Sequence, residues 1–165
     1  MSNASRARRI IPLRRRGAQG MTIVELMLVA AIVAILASIA VGWYKDAREQ
    51  ARVAQAVADI TAISTAIARR LLDYRSLPDS LTEVGYGSKL DPWGHAYYYL
   101  NLTGRHGYGQ SRKDRQLNPI NSDYDLYSAG RDGLTQTSIV AAVSRDDVIR
   151  ARNGQFIGLA SAFEP

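Results

Sequence analysis

Sixteen residues from Leu26 to Val41 contain a single weakly polar member, Ser38. With Met21–Glu25 before them and Gly42–Tyr44 after them, they form a 24-residue segment. At ~1.5 Å per residue a helix of that length spans about 36 Å, enough to cross a hydrocarbon core of about 30 Å. A core helix of a soluble domain is usually shorter. It also lacks the arginine-rich flank found here at Arg14, Arg15 and Arg16 and the aromatic pair Trp43 and Tyr44 at the far end, where amphipathic rings favour the membrane–water interface. A cleaved secretory signal is the closer rival, because "AILASIAVG" has the small residues of a cleavage site. Its apolar region would run for only about 7–15 residues and would not hold an acid such as Glu25.

Charge supports a membrane reading of the N-terminus. The chain has 165 residues and a formal net charge of +6. Six of its 21 basic residues, Arg6, Arg8, Arg9, Arg14, Arg15 and Arg16, fall in the first twenty positions, which contain no acid. The remaining 15 basic residues balance the 15 acidic ones. The basic excess therefore belongs to the tail, as expected of a positive-inside cytoplasmic flank. A nucleic-acid arm is the alternative, but no basic excess continues into the rest of the chain.

The helical pattern does not stop at the membrane segment. Val53, Val57, Ile60, Ile63, Ile67 and Leu71 follow steps of three and four and make one apolar stripe. No proline occurs between Met21 and Asp73, and alanine is abundant. The pattern predicts one helix of about fifty residues whose second half packs its stripe against C-terminal structure. Gly42 is its weakest point, at a cost of about 1 kcal/mol relative to alanine.

Beyond the helix, Asp79 or Ser80 caps a short helical turn, and Gly85 and Gly87 end it. "DPWG" (91–94) reads as a tight turn. "HAYYYLNL" and "DYDLYS" read as strands, with a polar loop between them that includes "GRHGYG" and "RKDR". "RKDR" reads as a solvated or subunit-facing loop, and "GRHGYG" as a poor phosphate cradle. "QFIGLASAF" is a candidate third strand. His95 and His106 show no spacing typical of a hydrolase or a metalloprotease, so no catalytic site is expected. The absence of cysteine removes disulfides and thiolate metal sites.

"GMTIVEL" at 20–26 resembles the signature of type IV prepilins: a glycine, a hydrophobic residue, and a glutamate at the fifth position after the glycine, followed by an apolar helix. The resemblance implies a cut between Gly20 and Met21 by a prepilin peptidase and methylation of the new N-terminus. It thereby implies leader 1–20, membrane segment 21–44 and periplasmic domain 45–165. "LDPWGHAYYYL" and "SDYDLYSAGRDG" resemble the major pseudopilin of type II secretion systems, and the likeness covers most of residues 20–133. It implies an α+β pilin-like fold, anchorage in the inner membrane, and a homo-oligomeric helical filament built with other pseudopilins on an inner-membrane assembly platform. In the assembled filament the acid at Glu25 would meet the free amine of a neighbour's Met21. No nucleic-acid partner and no catalysed reaction are implied. A type IV pilus subunit is the near alternative, and a membrane-anchored periplasmic binding domain that never polymerises is the distant one.

The same resemblance implies one calcium ion, for which the carbonyl of Leu126, the oxygens of Ser128, and Asp132, Asp146 and Asp147 are the candidate ligands. Calcium takes six to eight oxygen donors of these kinds. The 133–147 loop departs from the family's glycine- and acid-rich pattern. Read without the resemblance, Asp132 belongs to an ordinary Asp-Gly turn, and Asp146 and Asp147 begin a helix before "VIRAR".

Overall fold

The computed structural model describes residues 20–103 and 109–164. The arginine-rich leader and residues 104–108, which include His106 and most of "GRHGYG", lie outside the described residues. The chain divides into two units, Met1–Gly42 and Trp43–Pro165.

The first unit holds the start of a single helix, α1 (Ile23–Tyr74), 52 residues long. Every described residue up to Gly42 is exposed, including Ile23 at 81% and Val24 at 76%. By length and composition this helix is able to cross a membrane. Ser38, the one hydroxyl between Leu26 and Val41, donates to the carbonyl oxygen of Ile35 at 2.7 Å, so it is not left unpaired among the apolar side chains there.

In the second unit the rest of α1 lies on a four-stranded antiparallel sheet. The strands are β1 (Tyr98–Asn101), β2 (Tyr124–Ser128), β3 (Val148–Ala151) and β4 (Phe156–Leu159), in that spatial order. Ile60, Ile63 and Ile67 of the stripe are fully buried, with Ala56, against Leu81, Tyr97, Tyr124, Leu126 and Val148. Val53 and Val57 pack at its edge, whereas Leu71 is 42% exposed near the helix end. Each buried isoleucine contributes about 1.5–3 kcal/mol by leaving water.

Asp59 brings a charge into this packed face of the helix. It is buried and accepts a hydrogen bond from the Tyr97 hydroxyl at 3.0 Å. It also pairs with Lys89 at 3.2 Å and accepts from the Gln55 amide at 3.0 Å. A second tie joins the Trp93 ring N–H to Glu49 at 2.9 Å. These bonds fix the helix against the segment that carries "DPWG".

The sequence reading anticipated β1, β2 and β4 and missed β3. "VIRA" forms a strand rather than a helix, because it lies between β2 and β4 and all four of its residues are buried. Val148 faces the helix-side cluster. Ile149 and Ala151 face a second cluster formed with Ile120, Ile139, Ala160 and Phe163. A strand covered on both faces loses the alternation that identifies strands in sequence.

The short 3₁₀ turn expected after the helix is Leu81–Val84, ended by Gly85 at φ +81°. Neither candidate cap acts through its side chain. Glu83 instead reaches back to accept from the Asp79 backbone N–H at 3.0 Å.

Candidate functional site

Two groups of residues stand as candidates. The first is the helix entry. Gly20 is exposed, and a Cβ built there would meet nothing within 4 Å, so the fold itself does not require glycine at this position. Met21 is 55% exposed. Thr22 precedes the first helical residue, and its Oγ1 accepts a hydrogen bond from the Glu25 backbone N–H at 3.2 Å. Thr22 is therefore the N-cap, and Glu25 is the third residue of the helix, where a carboxylate is favoured by the positive end of the backbone dipoles. This cap was legible in the sequence as a Thr-x-x-Glu pattern ahead of an apolar run, a signal overshadowed by the prepilin signature.

The second group surrounds the turn after β2. The turn is built on a buried carboxylate that was not among the expected site residues. Asp91 is 5% exposed, and its Oδ1 accepts from the backbone N–H groups of Trp93 at 3.0 Å and His95 at 2.8 Å. Its Oδ2 accepts from the Ser128 hydroxyl at 2.5 Å. The Ser128 oxygen in turn accepts from the Gly130 N–H at 3.1 Å. "DPWG" and "DLYSAG", far apart in sequence, thus meet through one hydrogen-bond chain. His95 adds a further tie, with its Nδ1 3.2 Å from the Gly130 carbonyl oxygen.

The side chains of the expected calcium ligands Ser128, Asp132, Asp146 and Asp147 already have partners within the protein. One oxygen of Asp146, Oδ2, accepts from the backbone N–H groups of Arg131 at 2.9 Å and Asp132 at 3.2 Å. Asp132 Oδ1 accepts from the Leu134 N–H at 2.8 Å, the local turn that its sequence context also predicts. Ser128 is engaged with Asp91 and Gly130. Leu126 lies mid-strand, in register with Tyr99. Asp147 is fully buried and pairs with the guanidinium of Arg112 at 2.5 Å. Among the described residues no group of three or more His, Cys, Asp or Glu side chains converges in a way that would hold a metal. The residues present do not fit a calcium ion.

Arg112 belongs to "RKDR", expected to be a solvated loop, yet it is 2% exposed. Its Nη1 donates to the Gln136 carbonyl oxygen at 2.9 Å and to the Thr135 hydroxyl. Its backbone N–H donates to Asp125 Oδ2 at 2.6 Å, and its guanidinium lies 4.2 Å from the centre of the Tyr127 ring. Burial pushes the carboxyls of Asp125 and Asp147 up from their ordinary values, with Arg112 among the groups that pull both back. Sequence gave no signal for this inward turn, since four consecutive charged residues ordinarily mark a solvated face.

Comparison with known proteins places this arrangement. The prokaryotic N-terminal methylation motif matches residues 15–41, which bracket Gly20, Met21 and Glu25. Type II secretion system core protein G of Pseudomonas aeruginosa is 32% identical over 142 residues, covering 73% of this chain and 89% of that one. This chain belongs to the core protein G family of type II secretion pseudopilins. The Escherichia coli K12 core protein G is also 32% identical, over 70% of this chain and 83% of its own. A fimbrial protein of P. aeruginosa is 38% identical, but over 64 residues only, 39% of this chain. Pilin relatives thus share a segment with this pseudopilin, whereas core protein G relatives share most of its length. No solved structure matches.

Proposed function

We propose that this pseudopilin is a non-catalytic structural subunit of a secretion filament, cut after Gly20 and held by α1 in the inner membrane with its sheet domain in the periplasm. The observation that carries the reading is the first part of α1: an exposed apolar helix with one acid, Glu25, preceded by a glycine for which the fold has no use. Cleavage would free the amine of Met21, a cation at nearly the same depth as Glu25. A lone charge well inside a bilayer costs at least about 2.5–3.5 kcal/mol, less near its edge. Packing helices side by side in a filament would bring the Glu25 of one subunit to the Met21 amine of the next. Once desolvated, such a pair penalises any register that leaves one partner alone. Prepilin peptidase, other pseudopilins and the inner-membrane assembly platform are the partners this function requires. The short coverage of the fimbrial relatives makes a type IV pilus the weaker reading.

Mass spectrometry of the chain purified from its host tests the processing step. The expected species begins at an N-methylated Met21, and a species beginning at Met1 or near Val41 refutes it. Glu25→Ala tests assembly. The variant is expected to be cleaved normally and to form no filaments by electron microscopy. Filaments in normal number would rule out the charge pair and favour a domain that works without it.

A further inference from the structure

The disagreement between the family's expected calcium and the residues present has a specific cause. Asp147 is the most deeply buried of the expected acidic ligands, and a cation already stands against it, the Arg112 guanidinium at 2.5 Å from Oδ2. The same oxygen also accepts from the Thr135 hydroxyl at 2.7 Å. Calcium takes its oxygens at about 2.3–2.6 Å, and an ion bound to this carboxylate would stand directly beside the guanidinium that already meets Oδ2. A second cation so close to the guanidinium, in a site that excludes water, would be strongly repelled by it.

Arg112 also does the geometric work expected of a bound ion. A calcium ion in such a loop ties chain segments together through several oxygens. The Arg112 residue reaches Asp147, Thr135 and the Gln136 carbonyl with its side chain, and Asp125 on β2 with its backbone N–H. It thereby joins the 111–121 segment, the 129–147 loop and the strand between them. The Nε of Arg112 and Oδ1 of Asp147 have no hydrogen-bond partner. Nε lies on the same edge of the guanidinium as Nη2, the edge that meets the Asp147 carboxylate through Oδ2. One oxygen of each of the other loop acids already accepts from backbone N–H groups: Asp146 from Arg131 and Asp132, and Asp132 from Leu134.

We infer that Arg112 is a built-in replacement for a loop-binding cation, so that the 129–147 loop of this protein is held without calcium. The consequence is a periplasmic domain whose fold is indifferent to the calcium content of its surroundings. This holds whether or not the chain assembles into a filament.

The full chain, purified in detergent, is unfolded thermally in the presence of EGTA and again in millimolar calcium chloride, with near-ultraviolet circular dichroism as the readout. The expected result is the same midpoint in both, and less than one equivalent of calcium in the protein as purified. A midpoint several degrees lower in EGTA, or one equivalent of retained calcium, overturns the inference. Arg112→Gln is expected to lower the midpoint by leaving Asp147 buried without a counter-charge. Adding Asp147→Asn to it is expected to recover part of the loss. A double variant no more stable than Arg112→Gln shows that Arg112 does not act through Asp147, and the inference falls. Should Arg112→Gln not accumulate, the EGTA comparison on the parent decides alone.

Discussion

Replacing Asp91 by alanine tests whether the carboxylate under the "DPWG" turn organises the loop end of the sheet. The substitution removes an acceptor from the N–H groups of Trp93 and His95 and from the Ser128 hydroxyl. The two N–H groups belong to half-buried residues that water reaches after local rearrangement. The Ser128 hydroxyl is fully buried and would lose the acceptor it donates to. Hydrogen bonds to a charged group contribute about 1.5–3 kcal/mol each, and the carboxylate's own burial cost is recovered when it goes. The expected net loss is about 3 kcal/mol. Asp91→Asn keeps Oδ1 as an acceptor, and the Ser128 hydroxyl can rotate to meet the new amide, so about 1 kcal/mol is expected. Urea unfolding of the detergent-purified chain, followed by the fluorescence of Trp93, measures both. With a denaturant slope of about 2 kcal/mol per molar, the midpoint falls by about 1.5 M for alanine and about 0.5 M for asparagine. Equal midpoints for the two variants, or an alanine variant within about 0.5 kcal/mol of the parent, would refute the reasoning.

Two further outcomes are expected. Gly130 has φ +65°, and a Cβ there would lie 2.3 Å from the Asp146 carbonyl oxygen, so Gly130→Ala adds strain to a backbone clash. A loss of at least about 2 kcal/mol in the same unfolding assay is expected, and a neutral result contradicts the turn geometry. Burial raises the hydroxyl pKa of Tyr97, Tyr99, Tyr124 and Tyr127 above the ordinary value near 10, with the neighbouring Asp59 adding to the shift at Tyr97. A raised value in the folded state means that the unfolded chain loses these protons first. Stability is therefore kept below pH ~10 and lost as pH rises through the interval above it. Tyrosinate absorbance should show these four ionising together with unfolding, and independent titration of all tyrosines near pH ~10 would count against their burial.

The parts of the fold set by local pattern were readable from sequence. Ile60, Ile63 and Ile67 sit at helical spacing, no proline interrupts the run, and the helix forms almost to the residues expected. β1 and β2 were marked by aromatic and alternating residues between turns. β3 was not, because burial on both faces removes the alternation and two aspartates precede it as they would a helix. The candidate site divides in the same way. Gly20, Met21 and Glu25 are neighbours in sequence, so a short motif carries them. Asp147 and Arg112 are 35 positions apart, and only the folded chain shows that one neutralises the other. Asp91 and Ser128 meet across 37 positions for the same reason.

The strand order β1-β2-β3-β4 also decides what a truncation would expose. β3 supplies Val148 and Ile149 to opposite clusters, and its outer neighbour β4 forms one edge of the sheet. A chain cut short after Gln155 would retain α1, β1 and β2 and lose the strand that pairs with β3 through four residues from Val148 to Ala151. Its new edge would be an apolar strand with unpaired backbone groups, a template for other chains. Loss of β4 should therefore produce insoluble, protease-sensitive protein, making the β3–β4 hairpin the checkpoint that separates a sound subunit from a discarded one.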